Sequence, residues 1–84
     1  MNRKSPDVFD YLDYREFLNA IFEHLRDTSS FTVRAFAAQV GFASSNYLRM
    51  ILDRKRNLSS KNARKVGHRL GMKSLEVDFL EALV

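Results

Sequence analysis

In this 84-residue chain, Ser44-Ser45-Asn46 and, one helical turn on, Arg49 are the side chains best placed to do chemistry. The chemistry is hydrogen bonding. Hydroxyls and carboxamides both donate and accept, while a guanidinium donates as a flat fork. Arg54-Lys55-Arg56-Asn57 follows closely, a basic knot suited to anionic oxygens. Nothing comparable is arranged for catalysis. His24 and His68 are isolated, with no carboxylate or cysteine at ligand spacing, so surface or packing roles are expected for both. Two of Asp10, Asp13 and Glu16 could be imagined as an acid pair, but the dipole of a helix N-terminus accounts for them. No glycine-rich phosphate loop and no nucleophile motif occurs, so neither an enzyme, a metal site nor a cofactor is expected.

The elements that must position these residues lie between Thr32 and Asn57. Thr32 is a suitable N-cap, and Phe36, Ala37 and Val40 share one face of a helix over about 33–40. Gly41 stands where a helix end needs a left-handed residue. Ser44 or Ser45 caps a second helix over about 45–53, with Leu48 and Ile51 inward, Tyr47 and Leu52 flanking, and Ser45, Asn46, Arg49 and Asp53 outward. Two short helices joined by a tight turn form a helix-turn-helix pattern.

Before this pair, Asp13-Tyr14-Arg15-Glu16 has the form of a capping box. An apolar stripe then runs through Tyr14, Phe17, Leu18, Ile21, Phe22 and Leu25, predicting a helix to Arg26 or Asp27. Thr28-Ser29-Ser30 reads as a linker, with Phe31 anchoring the chain after it. Beyond the pair, Leu58 is expected to tuck under the core. Ser59 or Ser60 caps a fourth helix, with Ala63, Val66 and Leu70 inward and Lys61, Arg64, Lys65 and Arg69 outward. Gly67 within it permits close helix approach, and Gly71 ends it. Ser74 is expected to cap a fifth helix, apolar at Val77, Leu80, Leu83 and Val84. No segment alternates with the period of a strand, so the class is all-α.

Composition sets the frame. A hydrophobic fraction of 45% suits one small core, placing a domain at 8–84 behind a disordered start at 1–7. The absence of cysteine removes disulfides and thiolate sites and makes the cytoplasm the expected location. No apolar run approaches the roughly 20 residues of a membrane span. The net charge of +4 is unevenly laid out. Residues 32–73 hold ten Lys and Arg against a single acid, Asp53, whereas acids outnumber bases on both sides. Such a band favours a polyanion-binding face. The apolar ending FLEALV suggests that the natural chain continues past Val84.

The stretch Phe36–Met72 resembles the lambda-repressor-like (Cro/C1-type) helix-turn-helix domains. More closely, FDYLDYREFL at 9–18 followed by RAFAAQVGFASSNYLRMILDRKRNLS at 34–59 looks like the N-terminal domain of a family of bacterial proteins classed as transcriptional regulators. Members carry a longer C-terminal domain after this one. The resemblance implies a five-helix domain that binds double-stranded DNA, usually as a homodimer, for which the absent C-terminal domain would be needed. If the domain binds DNA, geometry assigns the roles. Ser44, Ser45, Asn46 and Arg49 would read base edges from the start of the recognition helix, asparagine suiting adenine and arginine guanine. Thr32, Arg34, Lys55, Arg56, Asn57, Lys61 and Arg64 would hold phosphates. Two departures stand out. The turn from Gly41 to Tyr47 is one residue longer than the usual repressor spacing, which alters the angle of the second helix. Arg54 replaces the usual loop glycine, and because a left-handed arginine is strained, a different loop shape is expected. These departures, with Asp53 repelling phosphate, favour the competing reading of a protein-interaction module on the same fold.

Overall fold

The computed structural model describes residues 5–84. A 3-10 turn, Val8–Asp10, precedes five helices: α1 (Tyr14–Thr28), α2 (Val33–Val40), α3 (Ser45–Leu52), α4 (Ser60–Arg69) and α5 (Ser74–Leu83). No strand occurs among the described residues. Residues 1–4 of the expected disordered start lie outside the described residues. Asp7 at its end has a definite role, since its carboxylate accepts from the Phe9 N–H at 3.0 Å and caps the 3-10 turn.

Each helix begins where its sequence supplies an acceptor for orphan N–H groups. Asp13 accepts from Arg15 N–H, Thr32 from Ala35, Ser44 from Asn46 and Ser59 from Asn62. Two expectations at helix starts are corrected. The Asp13–Glu16 box gives way to Asp13 acting as a cap on one oxygen while the other pairs with Arg54. The N-cap of α5 is Lys73 rather than Ser74. Its N–H is taken by the Glu76 carboxylate at 2.8 Å, which fixes the start one residue early. The helix α1 also runs to Thr28, because the Thr28 and Ser29 hydroxyls fold back onto the His24 and Leu25 carbonyls.

Three helices end in one and the same hydrogen-bond pattern, with a left-handed residue followed by a crossed pair of bonds. At the end of α2, Gly41 N–H bonds the Ala38 carbonyl and Phe42 N–H the Ala37 carbonyl. At the end of α4, Gly71 and Met72 bond His68 and Gly67 in the same way. At the end of α3 the residue is Arg54, whose φ of 64° is the one positive value on a non-glycine residue among those described. Arg54 N–H reaches Ile51, and Lys55 N–H reaches Met50 at 2.8 Å. The expected alternative loop shape is therefore not adopted. The two crossed bonds and the 2.7 Å ion pair with Asp13 hold the arginine in the conformation glycine usually takes.

Phe17, Leu18 and Phe22 of α1 pack with Phe36 and Ala37 of α2, Leu48 and Ile51 of α3, Leu58 of the α3–α4 connection, Ala63 and Val66 of α4, and Leu80 of α5 in one continuous core. Leu48, Ile51, Ala63 and Val66 are fully buried, as their helical phase requires. Phe22, Phe31 and Phe36 form an aromatic cluster with centroids 5.2–5.6 Å apart, so Phe31 does anchor the α1–α2 connection. No polar side chain is buried among the described residues. Gly67 lies against α5: a Cβ there would sit 3.1 Å from a Val77 methyl, the close approach the glycine allows. The chain end departs from expectation at Val84. That residue is 39% exposed, whereas Leu83 is half-buried and packs against the core as its spacing predicts.

Candidate nucleic-acid interface

Leu48 and Ile51 dock α3 on the core, so its other side must face outward. Asn46 and Arg49 are exposed and Ser45 is half-buried. The four candidate readers start from different states. The Ser44 hydroxyl is already used as the N-cap, at 3.1 Å from Asn46 N–H. The Asn46 carboxamide leans back on the Met50 sulfur at 3.5 Å, a weak contact that a stronger acceptor would displace. Arg49 lines a shallow cleft with Asn19 and Arg26 of α1, Val33 at the start of α2, and Leu52 and Asp53.

On the other side of α3 lies a second, open depression of about 450 Å³. Its walls are Gly41 to Ser44 of the α2–α3 turn, Tyr47, Arg56, and Asn62 and Lys65 of α4. Tyr47 organises it. Its ring meets Phe42 edge to face at 5.0 Å, its hydroxyl accepts from the Asn62 carboxamide at 3.0 Å, and the Arg56 guanidinium stacks over it at 5.3 Å. Beside α3 there is thus a cation on each side, Arg26 in the cleft that Arg49 and Asp53 share, and Arg56 with Lys65 in the other depression.

The expected phosphate residues divide. Thr32, Arg34, Lys55, Arg56, Asn57 and Lys61 are all exposed. The Thr32 hydroxyl already accepts from Ala35 N–H at 3.1 Å, capping α2. Asn57 is engaged from within, its carboxamide oxygen accepting from Arg15 at 2.7 Å. Arg64 belongs to a different surface. It turns to α5 and bonds Asp78 at 2.9 Å and Glu81 at 2.8 Å, which neutralises it locally and holds its guanidinium still more firmly protonated. Arg69 bridges back to Gln39 of α2 at 3.2 Å.

Sequence reasoning missed Arg26, Asn62 and Arg15. Arg26 and Asn62 carry no local signal beyond lying on outward helix faces. Arg15 meets partners 36–42 residues away, which no spacing rule reveals. Among the described residues there is no grouping of acids and histidines able to hold a metal ion, and no helix is long and apolar enough to cross a membrane. Compared with protein families, with curated proteins and with solved structures, the chain finds no match in any of the three.

Proposed function

We propose that this domain binds double-stranded DNA in the manner of a Cro/C1-type helix-turn-helix head of a bacterial transcription regulator, with α3 in the major groove. The observation that carries the reading is the setting of α3. Its outward face offers Ser45, Asn46 and Arg49, and cations flank it on both sides. An α-helix fits the major groove, and a helix seated there has one phosphate backbone on each side. Cations bracketing such a helix match that geometry. Asn46 and Arg49 supply the paired donors and acceptors that read adenine and guanine, each pair worth roughly 1–3 kcal/mol of discrimination. Lys55, Arg56, Lys61 and Lys65 supply charge that positions the helix without reading sequence. Arg64 drops out of that set, because it faces α5 acids.

Asp53 in the Arg49 cleft supports the second reading, a module that binds a protein partner. Selection from a random-sequence duplex pool at about 50 and 200 mM salt separates the two. Retention of an enriched motif supports the DNA reading. Salt-sensitive retention without a motif reduces it to phosphate holding. No retention at either salt favours the protein-interaction module.

A further inference from the structure

We infer that Arg15, at the start of α1, is a positioning residue that holds the basic loop 54–57 in its binding pose; the inference rests on the DNA reading above. Arg15 Nε donates to the Ile51 carbonyl at 2.9 Å, at the end of α3, where the same oxygen also accepts from Arg54 N–H at 3.1 Å. Its Nη2 donates to the Arg56 carbonyl at 3.0 Å and to Asn57 Oδ1 at 2.7 Å. The guanidinium lies 4.8 Å from the centre of the Tyr14 ring, and the Tyr14 hydroxyl accepts from Leu58 N–H at 3.1 Å. Next to it, Asp13 pairs with Arg54 at 2.7 Å.

The first turn of α1 therefore grips Ile51, Arg54, Arg56, Asn57 and Leu58 together. A lysine could not do this, since one ammonium cannot address three acceptors in a fixed fork. The arrangement commits Nε and Nη2 of Arg15 to protein oxygens, while the Lys55 and Arg56 side chains remain exposed. Arg15 thus serves the interface through the loop, without being a phosphate contact itself. A loop ordered in advance binds more tightly than one that must be ordered on contact.

Two readouts test this, one of them independent of DNA. In Arg15→Met, trypsin should cleave after Arg54, Lys55 and Arg56 about tenfold faster than in the parent, because cleavage follows local opening. Affinity for a short random-sequence duplex should fall about tenfold, with the salt slope unchanged. If Arg15→Met does not fold, Arg15→Lys carries the same test, and the same direction is expected because the fork is lost. Parent-like cleavage in a folded variant overturns the clamp. A slope reduced by about one overturns the positioning role, since Arg15 would then touch phosphate directly. If the parent itself binds no duplex, the DNA reading fails, while the proteolysis result still decides whether Arg15 sets the loop.

Discussion

Arg54 and Arg49 show how differently two arginines of one band are used. Arg54 stands in the left-handed region at φ 64°, where an L side chain is disfavoured and glycine is not. Arg54→Ala keeps that strain and loses the Asp13 pair, whereas Arg54→Gly removes the strain. The glycine variant should therefore melt about 4–8 °C above the alanine variant, the shift expected for relief of about 1 kcal/mol in a domain of this size. Equal melting temperatures would show that the backbone there is not strained. Arg49 is exposed. Arg49→Ala should leave the helical circular dichroism unchanged and flatten the ranking of DNA sequences in the selection. An unaltered ranking would remove Arg49 from base reading.

Contacts between elements at two places tie the helices together. At the start of α1, the Arg54 hydrogen bond, followed by the Arg15 N–H bond, holds the Asp13 carboxyl below its ordinary value. A group whose folded value is depressed stabilises the fold above its unfolded value and stops doing so as pH falls through the folded one. Acid titration of the parent should thus show a loss of stability below about pH 4 that is smaller in Asp13→Asn, which keeps a capping oxygen without the charge. The effect will be modest and salt-sensitive, because the pair is open to solvent. At the α4–α5 crossing, Gly67→Ala would gain roughly 1 kcal/mol of helix propensity on its own. The new methyl, however, meets a buried Val77 whose branched side chain has no room to turn. We expect Gly67→Ala to lower the melting temperature, and to raise it once Val77→Ala has made room. The same sign in both backgrounds would mean that the crossing does not depend on the glycine.

Across the whole molecule, the charge pattern changes meaning on folding. The basic band of residues 32–73 is flanked in sequence by acidic segments, and the fold brings one acid from the first segment to Arg54 and two from the last to Arg64. Those two arginines brace the chain against itself, and the proposed DNA-binding face is left to the remaining cations, chiefly Lys55, Arg56, Lys61 and Lys65 with Arg34 and Arg49. Replacing Lys55 and Arg56 together by alanine should weaken binding to all duplexes about equally and reduce the salt slope by up to about two. An unchanged slope would take the loop out of the phosphate contacts.

The periodicity of apolar residues was enough to place five helices, and the caps at Asp13, Thr32, Ser44 and Ser59 with the stops at Gly41 and Gly71 marked most of their ends. These are local signals, because capping and amphipathic phase act within one or two turns. The core faces of α2, α3 and α4 followed from the same periodicity, since Ala37, Leu48, Ile51, Ala63 and Val66 have one direction in which to be buried. The roles of the charged residues could not be read in this way. Whether Arg64 meets solvent or Asp78, whether Arg54 tolerates a left-handed backbone, and whether Arg15 is a surface cation or a clamp each depend on a partner 14 to 42 residues away. Long cationic side chains reach several acceptors, and only the packing of α1 on α3 and of α4 on α5 decides which ones are within reach.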